Sequence, residues 1–167
     1  MNNLLELEDF KDDKQKMGSL NHSFVQGQIT GLLFADKRFR VMPELTIDVG
    51  TLDLSQFGLK ARKELMPDLC LYPKNLSKKK GRDLLKVSEM PLMAIEVISP
   101  TQGSNEIIAK FEACFTLGVK SCWLVDPSLD VVHVYSQIDK HKTFDMEDNE
   151  VIDKVMDISL LMKEIFE

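Results

Sequence analysis

Apolar residues recur at near-helical spacing between positions 19 and 36, where Leu20, Phe24, Ile29, Leu32 and Leu33 line up and Asn21 is of a type that caps a helix start. Three short segments rich in Val, Ile and Leu follow, over 39–48, 63–72 and 91–99, and each predicts a strand. The period changes over 104–117. There Ile107, Ile108, Phe111, Cys114 and Phe115 form a helical stripe, and Gly118 stands where a left-handed terminator belongs. Strands over 121–125 and 131–137 come next, joined through Asp126, Pro127, Ser128, Leu129 and Asp130, which is a turn composition. A last helix is predicted over 157–166. This order is α/β, and its central strand–helix–strand unit should cross over right-handed.

Composition narrows the class. The chain has 167 residues, 44 % hydrophobic and 29 % charged, which excludes collagen-like, low-complexity and wholly disordered chains and suits a single folded domain. An acidic N-terminal segment is expected over 1–18 and one domain over 19–167. No apolar run approaches the roughly 20 residues of a membrane helix, and the polar, acidic start is unlike a signal peptide, so a soluble cytoplasmic protein is expected. Cys70, Cys114 and Cys122 are odd in number, widely spaced and set in apolar stretches, as buried free thiols would be. None belongs to a CxxC pair, and His22, His133 and His141 lack ligand spacing, which argues against zinc. The net charge of −6 argues against coating nucleic acid by charge alone. Yet residues 60–86 hold nine basic against three acidic residues. Within them, Lys78, Lys79, Lys80 and Arg82 are either phosphate contacts or a solvated loop.

Three carboxylates stand out from their surroundings. Alternation within 93–99 puts Met93, Ile95 and Val97 on one face and Ala94, Glu96 and Ile98 on the other, and both faces read as buried. Glu96 is then a charge inside a central strand, where burial without a partner costs several kcal/mol. Its partner is either a salt bridge or loop near the strand end, or a functional ligand. Asp68 follows Pro67 and precedes the apolar Leu69 to Tyr72, although an aspartate at a strand start is also an ordinary turn former. Glu44, between Pro43 and the Leu45 to Val49 segment, reads alone as an exposed edge residue. Together, acids offered by separate strands build the oxygen-rich site that Mg²⁺ or Mn²⁺ prefers. Such a cation polarises a phosphoryl oxygen and activates water for phosphodiester hydrolysis. Lys110 borders the apolar stripe of its helix, so its stem could carry the ammonium to the sheet. Equally, Glu106 lies four residues earlier and offers a surface ion pair worth about 0.2–0.5 kcal/mol.

Met66-Pro67-Asp68-Leu69, then Ile95-Glu96-Val97-Ile98-Ser99-Pro100, then Lys110, Gly118-Val119 and Trp123-Leu124-Val125-Asp126-Pro127, resemble the Uma-two family of restriction endonucleases, a branch of the PD-(D/E)XK nucleases. The likeness runs from Ser19 to the C-terminus and is densest over 95–127. It implies a restriction-endonuclease-like mixed β-sheet flanked by helices and metal-dependent cleavage of DNA. By motif position Asp68 and Glu96 match the metal-binding acids, Glu44 an additional acid, and Ser99 the serine of a Glu-x-x-Ser pattern. Ile98 stands where the superfamily lysine is usual, and Lys110 matches the position to which the family has moved it. The resemblance therefore implies a DNA endonuclease using Mg²⁺ or Mn²⁺, with Asp68, Glu96, Glu44 and Lys110 as its machinery. The competing reading is a catalytically idle nuclease-like module that binds a partner, and self-association is left open.

Overall fold

Residues 18–60 and 63–167 are described by the structure, a computed structural model. The acidic segment expected over 1–18 lies outside the described residues apart from Gly18. Helix α1 (Leu20–Phe34) starts where predicted, but its cap is Ser19, whose side chain accepts from the His22 N–H at 3.3 Å, rather than Asn21. The buried face is also rotated from the predicted one. His22, Val25, Ile29 and Leu33 point inward, and Leu20 is 82 % exposed. The predicted 39–48 strand is two strands, β1 (Phe39–Pro43) and β2 (Ile47–Asp48), because Glu44 after Pro43 takes a left-handed φ of 53° that turns the chain. The 63–72 segment divides likewise, into β3 (Glu64–Leu65) and β4 (Leu69–Pro73), on either side of Pro67.

The centre matches the prediction closely. Strand β5 (Met93–Val97), helix α2 (Ser104–Thr116) and strand β6 (Ser121–Asp126) form a strand–helix–strand unit whose strands pair in parallel. Strand β7 (Val131–Gln137) follows the predicted turn. Residues 138–156, for which no element is predicted, hold β8 (Lys140–Phe144) and β9 (Glu150–Asp153), and the helix expected over 157–166 is instead β10 (Ile158–Leu161) followed by the short α3 (Met162–Phe166). The reason is visible in their burial. Only Phe144 of β8 is buried, so this edge strand carries no apolar alternation and is held by ladder bonds to β7.

The main sheet runs β1-β4-β5-β6-β7-β8 and is antiparallel except at β5–β6. One face, with Leu69, Leu71, Ile95, Val97, Trp123 and Val125, packs against α1, α3 and the β9–β10 hairpin. The other, with Ala94, Cys122, Leu124 and Tyr135, packs against Ile107, Phe111 and Cys114 of α2. Covered on both faces, β5 is buried along its whole length, as its sequence predicts. All three cysteines are buried free thiols. Among the described residues no helix is long and apolar enough to cross a membrane.

A second buried acid joins the β9 end to the sheet. Asp153 Oδ2 accepts from the Ser121 hydroxyl and from Trp123 Nε1 at 2.8 Å, and its Oδ1 accepts from the Met156 N–H at 3.0 Å. Asp153→Ala leaves three core donors unpaired and should cost about 3 kcal/mol or more. In a chain of this size, thermal unfolding should show a fall of roughly 10 °C. Asp153→Asn, which keeps one acceptor oxygen, should lose clearly less.

Candidate active site

Strand register assembles the site. The β4–β5 ladder ends with Leu69 paired to Ile95, and just beyond it the Asp68 carboxylate accepts the Val97 N–H and interacts with the Glu96 carboxyl. The β1–β4 ladder pairs Pro43 with Leu69, and one step further Glu44 stands beside Asp68, its N–H donating to the Asp68 carbonyl at 3.0 Å. Three acids far apart in sequence thus lie side by side at one end of three neighbouring strands. Glu44 is exposed, and its left-handed φ is the kind of backbone strain, about 1–2 kcal/mol, that tends to gather at functional sites.

Asp68 is held by three hydrogen bonds and an ion-pair contact. Besides the Glu44 N–H, its carbonyl receives Gln26 Nε2 at 3.3 Å. Its carboxylate Oδ2 accepts the Val97 N–H at 2.7 Å and lies 3.2 Å from His22 Nε2. The Asp68 hydrogen bond, aided by the charges of Asp68 and Glu44 and opposed by burial, raises the His22 imidazole above its ordinary value. Sequence reasoning passed over His22 because it has no metal-ligand spacing. The available signal was its place in the buried His22, Val25, Ile29 stripe of α1, where a polar ring needs a partner.

Glu96 is 4 % exposed. Burial pushes its carboxyl up to about 8, and the Asp68 charge and carboxyl push the same way, while Lys110 opposes them. Lys110 crosses from α2 with its side chain 23 % exposed, and its Nζ lies 3.6 Å from Glu96 Oε1 and 3.9 Å from Glu106 Oε1. Both partners left open by spacing are therefore engaged. Burial works to lower the Lys110 pKa, but the charges of Glu96, Glu106 and Asp68 outweigh it and hold the ammonium above its ordinary value. Ile98, where the superfamily lysine would stand, packs in the apolar cluster beneath α2, so Lys110 arrives on the face that Ile98 occupies.

Asp68, Glu96 and Lys110 therefore meet, with Glu44 beside them. The basic run does not adjoin them along the strands. Lys78, Lys79, Lys80 and Arg82 are exposed in the loop that leaves β4 and enters β5 at the ends away from Asp68 and Glu96. The Ser99 hydroxyl is buried and has no hydrogen-bond partner among the described residues. Among those residues no three His, Cys, Asp or Glu side chains form a ready-made cage for an ion. The pair of carboxylates suits Mg²⁺ nonetheless, since that ion is usually held by one or two protein carboxylates together with water and phosphate oxygens.

A family model described as a putative restriction endonuclease, Uma2, matches residues 15–160. No curated protein matches the chain. A crystal structure described as a putative nuclease belonging to DUF820, from Anabaena variabilis, superposes with a TM-score of 0.71 at 21 % sequence identity, covering 90 % of this chain and 82 % of that one. That likeness establishes a shared nuclease-like fold. With the family match running unbroken through β1, β4, β5, α2 and β6, the chain belongs to the Uma2 family.

Proposed function

We propose that this protein is a divalent-metal-dependent nuclease that hydrolyses phosphodiester bonds of DNA. The observation that carries the reading is Glu96, a carboxylate buried in a central strand, beside Asp68 and within ion-pair distance of Lys110. Buried ionisable groups with shifted pKa values concentrate at active sites. Asp68 and Glu96 would hold Mg²⁺ or Mn²⁺, with Glu44 assisting through water. A cation there supplies polarisation of a phosphoryl oxygen and acidification of a water. Lys110, held protonated, steadies negative charge developing on the phosphorus oxygens or orients the attacking water. Family membership supports the reaction class, and the acidic site favours an anionic substrate only when a cation is present. The exposed Lys78, Lys79, Lys80 and Arg82 would contact backbone phosphates.

Cleavage of plasmid DNA in Mg²⁺ or Mn²⁺ tests the proposal. Glu96→Gln should fold and lose cleavage by about 10²–10³-fold or more. Lys110→Ala should lose cleavage by about 10²-fold while its Mn²⁺ affinity, read by calorimetry, stays the same or rises. Full cleavage by both variants would overturn the assignment, and an inactive parent that binds no Mn²⁺ would favour the idle binding module.

Stability against pH gives an independent check. The Glu96 carboxyl titrates near 8 when folded, above the 4.5 of a free side chain, so between these values the folded state keeps a proton that the unfolded chain has released. Stability of the metal-free protein must then fall as pH rises through that window. His22, also raised, contributes in the same sense. The melting temperature should drop more steeply between about pH 4.5 and 8 for the parent than for Glu96→Gln. Equal slopes would remove Glu96 as the titrating group.

Replacing Lys78, Lys79, Lys80 and Arg82 by Ser should weaken DNA binding and lower the slope of its salt dependence by nearly one unit for each phosphate that is no longer neutralised. An unchanged slope would assign the run to solubility.

A further inference from the structure

We infer that His22 is the positioning residue that turns the Asp68 carboxylate so that a single oxygen, Oδ1, faces a cation, an inference that rests on the metal-dependent reading above. Asp68 Oδ2 accepts the Val97 N–H at 2.7 Å, and His22 Nε2 lies 3.2 Å from the same oxygen. A carboxylate oxygen offers two lone pairs, so these two donors use the capacity of Oδ2 and leave Oδ1 as the oxygen available for coordination. One donor alone would leave the group free to swing about its last torsion. Two donors, one from the backbone of β5 and one from α1, remove that freedom.

The placement of α1 supports this role. Gln26 stands one turn beyond His22 on the same helix and donates to the Asp68 carbonyl at 3.3 Å, so one helical face grips both the main chain and the side chain of this residue. His22 is itself buried, which restrains the ring that does the orienting. Its Nε2–H donates whether the ring is neutral in that tautomer or charged, so the role does not depend on the protonation state. Groups that orient a metal-binding carboxylate in this way typically change metal affinity by about 10–100-fold when removed.

Mn²⁺ binding to the full chain, followed by calorimetry, tests the inference with four proteins: the parent, His22→Ala, His22→Gln and His22→Phe. The alanine variant should bind Mn²⁺ about 10–100-fold more weakly. The glutamine variant, which keeps an N–H donor, should recover part of the loss. The phenylalanine variant fills the space but cannot donate, and it should resemble alanine. In cleavage assays kcat at limiting metal should fall while KM for DNA stays unchanged. Should the alanine variant fail to fold, the comparison of glutamine with phenylalanine still decides the matter, with thermal melting confirming that both are folded. Mn²⁺ binding by His22→Phe as tight as by the parent would overturn the role of His22 alone. A parent that binds no Mn²⁺ would overturn the metal-dependent reading, and this inference with it.

Discussion

Glu96 sits in the middle of a sheet that is covered on both faces, and the arrangement around it follows from that constraint. A lone carboxylate at such a place costs several kcal/mol. Lys110 brings its ammonium to 3.6 Å from Glu96, but the Asp68 carboxylate lies beside it as well and adds a second negative charge. Two carboxylates facing one ammonium leave a surplus of negative charge in a region poor in water. Burial first, and the Asp68 carboxylate after it, raise the Glu96 carboxyl to about 8 against the opposing charge of Lys110. On the metal-dependent reading proposed above, a divalent cation would relieve the same surplus.

Helices on opposite faces of the sheet deliver the supporting groups. Because β5 and β6 are parallel, the chain must cross over between them, and α2 is that crossover. Its stem-buried lysine reaches the Glu96 carboxylate from the face that Ile98 shares. From the other layer, α1 provides His22 and Gln26 to Asp68. Each acid therefore has its own helix. The charge of Glu96 is balanced from α2, and the orientation of Asp68 is set from α1 and from the Val97 N–H of the neighbouring strand. The same principle recurs at Asp153, but there all the partners are neutral donors within the core, and the result is an anchor for β9.

Much of this was legible in one dimension where burial leaves a strong mark on composition. The apolar runs within 91–99 and 121–125 identified the central strands, and a charge inside such a run identified Glu96. Asp68 was visible for the same reason, more faintly, because a strand-start aspartate is also common in turns. The exposed edge strand β8 and the short β9 and β10, which bury only a few side chains each, left no such mark. Their pairing is decided by backbone hydrogen bonds, which every residue can make. Lys110 was undecidable by spacing, since Glu106 lies one turn away, and its two distances of 3.6 and 3.9 Å show both contacts made at once.

The sequence by itself determined the α/β order, the crossover unit at its centre, and which carboxylates were out of place, because hydrophobic periodicity and the cost of buried charge act on each segment separately. Only the tertiary structure decided that Asp68 lies against Glu96, that the Glu44 backbone pairs beside Asp68, and that His22 reaches the Asp68 carboxylate. Those facts depend on strand register and on how α1 lies across the sheet. Both are set by contacts between residues tens of positions apart, and no local pattern of hydrophobic and polar residues encodes such a pairing.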